Sequence, residues 1–274
     1  MFEEILRNVR AKSPLVHSIT NYVTVNDCAN TILACGASPI MADDQNEVEE
    51  ITAICNALVI NIGTLNERTI ISMKKAGKKA NELNHPVVLD PVGAGASSLR
   101  TRTTFDLLEN VSFAVIRGNV SEIKTVYKGS GTTKGVDADV SDAITEENLE
   151  EAIVFAKKLS EKTNAVIAIS GAIDIVADKN KAYIIRNGNA LMSKITGTGC
   201  MLASLIGAYC GANPDNILDA AAAATSVMGL AGELAFEKLQ KTDGGTSTYR
   251  TFLIDYISKI DEKILNGGIK IETR

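Results

Sequence analysis

Two short runs, Ala57-Leu58-Val59-Ile60 and Pro86-Val87-Val88-Leu89, contain no polar residue, and they limit the possible folds more than any other feature. A strand with one wet face alternates apolar and polar residues, so an unbroken apolar run belongs to a strand covered on both faces. Between the two runs lies an amphipathic segment, residues 66 to 83, with apolar residues at helical spacing. Buried strands separated by helices predict an α/β fold: a mostly parallel central sheet with helices on both faces. The same alternation extends along the chain. Helices are expected at 1–11, 23–35 (closed by Gly36 as C-cap), 46–55, 66–83, 120–127 and 146–161, and strands at 14–20, 37–41, 57–61, 87–89, 113–116 and 165–169. A polar, Gly-rich loop follows the 120–127 helix. Residues 174–177 and 182–186, joined by Asp178-Lys179-Asn180-Lys181, read as antiparallel strands at one side of the sheet, and the chain after Cys200 reads as helices at 201–210, 216–238 and 249–265.

No linker interrupts the 274 residues, so a single domain over 1–274 is expected. The net charge of -5 and scattered Lys and Arg give no field for nucleic acid. The N-terminus carries acid where a signal peptide carries base. The most apolar stretch, 220–232, is flanked by Asp219 and Glu233 and is shorter than the roughly 20 residues that cross a bilayer. A cytoplasmic protein acting on a small molecule is expected, with no membrane and no nucleic-acid partner. Five cysteines, with no Cys-x-x-Cys pair, argue against a disulfide framework or a zinc site.

In open α/β sheets ligands bind at the carboxyl ends of the strands, and the residues there share a character. They are Gly63-Thr64, Asp90 to Gly95, Arg117-Gly118-Asn119 with Glu122, Ser170-Gly171, and the loop Lys194-Ile195-Thr196-Gly197-Thr198-Gly199-Cys200. That loop runs into a helix marked by Leu202, Leu205, Ile206 and Tyr209, so its amides and the helix dipole suit an anion, and a thiol at Cys200 is expected to have a lowered pKa. Close packing of a helix start is the alternative. Asp90 and Glu122 suit a magnesium ion held mainly by phosphates, or an N-cap and a dipole partner. Arg117 suits phosphate, or a surface ion pair; Asn119 and Ser170 suit phosphate or a metal-bound water, or simple turns. His17 reads as a structural hydrogen-bonding group in a strand and His85 as an exposed turn residue. Gly129-Ser130-Gly131-Thr132-Thr133-Lys134 fails as a P-loop, and neither a dinucleotide fingerprint nor a Gly-x-Ser-x-Gly elbow occurs.

Ser13-Pro14-Leu15-Val16-His17-Ser18-Ile19-Thr20-Asn21, Gly36-Ala37-Ser38-Pro39-Ile40-Met41, Asn61-Ile62-Gly63-Thr64-Leu65, Leu89-Asp90-Pro91-Val92-Gly93-Ala94-Gly95, Ile116-Arg117-Gly118-Asn119-Val120-Ser121-Glu122-Ile123, Lys134-Gly135-Val136-Asp137 and Gly197-Thr198-Gly199-Cys200 follow one another in this order. Together they resemble the hydroxyethylthiazole kinase family, a branch of the ribokinase-like fold. Cys after Gly-Thr-Gly is the specific mark, because relatives that phosphorylate sugars or pyrimidines carry Asp there.

The resemblance implies a three-layer sandwich and ATP-dependent phosphorylation of the primary alcohol of 4-methyl-5-(2-hydroxyethyl)thiazole, a salvage step toward thiamine. By the same resemblance Cys200 faces the substrate hydroxyl, Gly197 and Met41 contact the thiazole with Asn21 nearby, and Arg117, Ser170 and Asn119 serve ATP. Asp90 and Glu122 handle Mg2+, and the protein is a homotrimer with sites at subunit interfaces. Ser170 stands where the family more often has Thr. Asp243-Gly244-Gly245-Thr246-Ser247-Thr248-Tyr249 replaces a Gly-Pro-Gly-Ser-Phe-like stretch, which bears on trimer or nucleotide-side packing rather than on the reaction. On this reading Cys200 positions the hydroxyl and takes its proton late. A kinase for another small alcohol, a nucleotide-dependent dehydratase and a regulator without catalysis are the competing readings.

Overall fold

A computed structural model of the chain describes residues 1–129 and 143–274. In chain order the elements are α1 (Glu3–Lys12), β1 (Leu15–Ile19), α2 (Val25–Ala34), β2 (Ser38–Ile40), α3 (Val48–Ile54), β3 (Ala57–Asn61), α4 (Glu67–Glu82), β4 (Val87–Asp90) and α5 (Ser98–Asn110). There follow β5 (Val115–Asn119), α6 (Val120–Gly129), α7 (Leu149–Thr163), β6 (Val166–Ser170), β7 (Asp174–Ala177) and β8 (Ala182–Ile185). After a 3-10 turn (Ala190–Lys194) come α8 (Thr198–Ala212), α9 (Ile217–Leu239), α10 (Thr246–Lys259), α11 (Glu262–Gly268) and β9 (Ile271–Thr273).

Among the described residues the strands form one sheet in the order β2-β1-β3-β4-β5-β6-β7-β8-β9. It is parallel from β2 to β6 and antiparallel from β6 to β9. The unbroken apolar runs do what their composition requires. Leu58 and Ile60 face one core with Met73, Ala76 and Leu159, while Val59 faces the other with Leu205 and Ala223. Strands β1 and β3 to β8 feed the two cores by the same alternation.

Pairing register decides which residues meet at the carboxyl edge. Asn61 lies opposite Asp90 and Asn119 opposite Ser170, so polar residues that end apolar strands become neighbours. Helix α8 lies against β1, β3 and β4 with α1, α2 and α9 around it. It can sit that close because Gly207 faces β3: a Cβ there would be 2.4 Å from Val59 Cγ2.

Several elements differ from the sequence reading. The helix α5 was not expected; its buried positions are Thr103, Thr104 and Leu107, so it lacks the apolar stripe by which helices are recognised. The last expected helix is two, α10 and α11, because Asp261 caps a new start by accepting from Ile264 N–H at 2.8 Å. The terminal strand β9 is only three residues long. Helix α9 is long and apolar enough to cross a bilayer by length and composition, longer than the stretch marked in the sequence, yet Ala220 to Ala224 are fully buried and it packs on α8 and α10. The divergent segment ends in Tyr249, fully buried, whose hydroxyl donates to Gly232 O on α9 at 2.9 Å. His85 is half-buried rather than exposed, with Nδ1 enclosed and unpartnered. The Gly-rich loop and the Lys134-Gly135-Val136-Asp137 motif lie outside the described residues.

Gly207→Ala should lift α8 from the sheet. An overpacking cost of about 1–3 kcal/mol is expected, read as a fall of several degrees in the melting midpoint, at roughly 2–4 °C per kcal/mol for a chain of this size.

Candidate active site

The edge residues converge on the first turn of α8. Gly197 is the helix N-cap at φ +90°, and a Cβ on it would lie 2.4 Å from Thr24 Cγ2; both conditions call for glycine. Helix α8 starts at Thr198, earlier than expected, which puts Cys200 inside the first turn. The leading amides of that turn have no helical partner and face the rim.

Around Cys200 the side chains form a continuous network. Asn21 and Asn61 each donate from Nδ2 to Cys200 Sγ at 3.2 Å. Asn61 Nδ2 also donates to Asp90 Oδ2 at 2.6 Å, and Arg117 Nη1 donates to Asp90 Oδ1 at 3.3 Å. Arg117 Nη2 then reaches Ser170 Oγ at 2.6 Å. The Arg117–Asp90 pair is buried, not a surface pair, with side-chain exposures of 9% and 0%. A side chain at Gly199 would collide with that guanidinium, its Cβ 2.6 Å from Nη1. Arg117 Nε is buried without any partner, which is unusual for a buried donor. The Arg117 residue lines a cavity of about 540 Å³ together with Ser170, Asp174, Asn189, Met192 and Gly199.

Glu122 and Asn119 are engaged differently. Asn119 Oδ1 accepts from Glu122 N–H at 2.9 Å and Glu122 Oε2 accepts from Asn119 N–H at 2.8 Å, the reciprocal pair of a capped helix start. Glu122 Oε1 accepts from Gly93 N–H at 2.8 Å. The alternatives of a first-turn partner for Glu122 and a turn residue for Asn119 thus take the form of a reciprocal cap, with carboxylate lone pairs left over. Met41 follows the edge strand β2, half-buried; among the described residues no hydrogen bond joins it to the Cys200 network. His17 fixes its neighbourhood. Burial lowers the His17 pKa, and the neutral ring donates from Nε2 to Ala42 O at 2.8 Å, leaving Nδ1 as an acceptor 2.9 Å from Thr52 Oγ1, whose one proton is contested by Val48 O at 2.6 Å. The tautomer follows because a carbonyl can only accept.

Two electrostatic findings matter. The Asp90 carboxyl is pushed up to about 6, chiefly by burial and further by the charge of Glu122, against the pull of Arg117 and the amide of Asn61. The thiol of Cys200 is raised, again chiefly by burial and then by Asp90, against hydrogen bonds from Thr24, Asn21 and Asn61. The expectation of a lowered thiol pKa is therefore corrected: enclosure outweighs the helix terminus. All five cysteines are buried free thiols among the described residues.

Asn61, Asp174 and Arg100 were given no role from the sequence. Asp174 lines the cavity and its Oδ1 accepts from Gly171 N–H at 2.8 Å. Arg100, on the unexpected helix, donates to Val92 O at 2.6 Å and Gly63 O at 2.7 Å, tying together the loops after β4 and β3. Only Asn61 left a signal in the sequence, a polar residue ending a fully apolar run.

The model of the hydroxyethylthiazole kinase family matches residues 6–263. A hydroxyethylthiazole kinase of Clostridium acetobutylicum is 60% identical over 273 residues, covering 100% of both chains. A solved structure of a hydroxyethylthiazole kinase protein from Pyrococcus horikoshii OT3 is similar at TM-score 0.88 and 36% identity, over 100% of this chain and 98% of that one. A ribokinase-like superfamily protein from Enterococcus faecalis, at 13% identity and TM-score 0.61 over 94% of this chain and 89% of the other, shares the fold.

Because the folded chain holds the Asp90 proton more tightly than the unfolded chain does, the stability linked to it is fully present below the unfolded carboxylate pKa and is lost as pH rises through about 6. Denaturant titrations of wild type and Asp90→Asn without ligands should show the difference in unfolding free energy moving in favour of the variant between pH 5 and 7. A difference that stays flat over that window would mean that Arg117 compensates the carboxylate in full.

Proposed function

The chain belongs to the hydroxyethylthiazole kinase family, and from that premise we propose that it transfers the γ-phosphoryl group of ATP to the hydroxyl of 4-methyl-5-(2-hydroxyethyl)thiazole, as a single kinase domain over 1–274. The observation that carries the reading is Arg117. A buried guanidinium that lines the 540 Å³ cavity, next to the uncapped amides of α8, is built to receive an anion. Ser170 and Asn119 border the same end of the sheet, on β6 and β5, and serve the nucleotide with it.

The alcohol acceptor enters from the other side of Cys200. Asn21 and Gly197 form that side together through Thr24, which donates to Asn21 Oδ1 and packs on Gly197. Met41 serves the thiazole from beyond β2, in the segment His17 holds in place. In the reaction the alcohol oxygen bonds to the γ-phosphorus, the bond from phosphorus to the bridging oxygen breaks, and ADP departs. Such a transfer is mainly positioning and charge stabilisation, and it needs little deprotonation before attack. Cys200 begins as a thiol and so first orients the hydroxyl. Having first lost its own proton to solvent, it accepts the alcohol proton as a thiolate only late, when the new O–P bond has made the alcohol oxygen acidic.

Magnesium fits the donor set. The charge of Glu122 opposes ionisation of the neighbouring Asp90, and a hard cation that keeps several waters is held by one or two carboxylates plus phosphate oxygens. Asp90 and Glu122 would hold it through its waters, and it would neutralise phosphate charge. We further propose a cytoplasmic homotrimer with sites at subunit interfaces. Exposed Tyr22, Val23, Leu33 and Ile54, on segments flanking β1 and β2, support contact near Met41; sedimentation should return three times the 29.1 kDa chain mass.

The purified protein with ATP, Mg2+ and hydroxyethylthiazole should yield phosphorylated thiazole by mass spectrometry, and should leave a pyrimidine alcohol unmodified in a parallel reaction. Arg117→Lys should raise KM for ATP by about tenfold or more, because an ammonium loses the planar fork. Cys200→Ser should retain measurable turnover; complete loss with ATP binding intact would show that the sulfur is needed for more than orientation and late proton transfer.

A further inference from the structure

We propose that Asn61, the last residue of β3, is a positioning residue for phosphoryl transfer: its one amide holds both the Cys200 sulfur on the acceptor side and the Asp90 carboxylate on the phosphate side. Hydrogen-bond valence fixes the amide of Asn61. The backbone N–H of Gly63 can only donate, and it meets Asn61 Oδ1 at 2.9 Å, so the amide's orientation is fixed. The second lone pair of Oδ1 takes Asn21 Nδ2 at 3.0 Å. Of the two protons on Asn61 Nδ2, one goes to Asp90 Oδ2 at 2.6 Å and the other to Cys200 Sγ at 3.2 Å. All four valences of the amide are used.

Asn21 is fixed in the same manner. Its Oδ1 accepts from Thr24 N–H and Thr24 Oγ1, both at 3.1 Å, which leaves its two protons for Asn61 Oδ1 and Cys200 Sγ. The sulfur therefore sits between the donor edges of two amides that cannot flip. The Thr24 side chain is a third hydrogen-bond partner of the sulfur, so the place of the sulfur on the acceptor side is set by three residues. Gly63 keeps this arrangement possible, since a Cβ there would stand 2.9 Å from both Asn21 Nδ2 and Asn61 Oδ1.

Asn61 is thus the only described side chain hydrogen-bonded to both Cys200 and Asp90. Through Asp90 the same network reaches Arg117 and Ser170 on the cavity. Loss of its donor edge releases the sulfur and the carboxylate together, while the guanidinium and Ser170 keep their direct bond.

A double-mutant cycle on the full chain tests this, with Asn61→Ala, Cys200→Ala and the pair, and with kcat and KM measured for both substrates. Asn61→Ala should lower kcat about 100-fold, the scale of a misplaced reacting group, and leave KM for ATP within about threefold. In the Cys200→Ala background the same change should cost only about a few-fold. Additive losses, or a rise in KM for ATP that matches the fall in kcat, would overturn the role. If the melting curve shows that Asn61→Ala does not fold, Asn61→Thr, which suits a strand end, goes through the same cycle under the same criterion. The inference rests on the kinase reading, and wild type separates the two. Wild type that makes no phosphorylated thiazole sinks both, whereas active wild type with an additive cycle sinks only the role of Asn61.

Discussion

The structure turns on how polar groups are kept satisfied at the carboxyl edge of a sheet that is dry on both faces. Asp90 is fully buried at the end of β4, where an ionised carboxylate is costly without partners. Its partners are one guanidinium and one amide, from the two strands on either side, brought opposite it by parallel register. The carboxyl is nonetheless raised to about 6, so Arg117 offsets the cost of burial only in part. A chain arranged for stability alone would place an apolar residue there. The residual tension makes Asp90 responsive to whatever cation or phosphate arrives.

The same rim depends on close approach elsewhere. Helix α8 carries both the anion-facing amides and Cys200, and its position is set by small residues: Gly207 on Val59, Gly199 on Arg117 and Gly197 on Thr24. Each contact would be closed to any residue with a Cβ. Packing and function are therefore one constraint here, since the glycines that let the helix reach the sheet are also those that let backbone amides reach a ligand.

This division explains what the sequence made legible. Apolar runs such as 57–60 forced the two-sided sheet, and polar residues just past such runs marked the rim, so Asp90, Arg117, Ser170 and Cys200 could be named together. Helix α5 escaped because its buried face uses Thr103 and Thr104, and with it Arg100, whose partners are backbone carbonyls with no sequence signature. Asn61 and Asp174 escaped for a related reason. Their roles come from register and loop closure, which depend on which strands become neighbours, and that is a property of the assembled sheet. The role of Met41 came from resemblance alone, whereas Glu122 was marked by its place just past a strand; the structure engages Glu122 as a helix cap.

Cys200 shows how two legible signals can oppose each other. A helix N-terminus favours an anion by about 0.3–1 kcal/mol, up to roughly 2 in enclosed geometry. Full burial can shift a pKa by up to about 3–5 units, each worth about 1.4 kcal/mol, and here a second negative group, Asp90, adds to it. Burial wins, even with amide donors from Asn21 and Asn61 on the sulfur. Those donors then have a different use. They hold the sulfur in one place on the acceptor side. In a transfer whose transition state asks for alignment before it asks for a base, that is the more useful contribution.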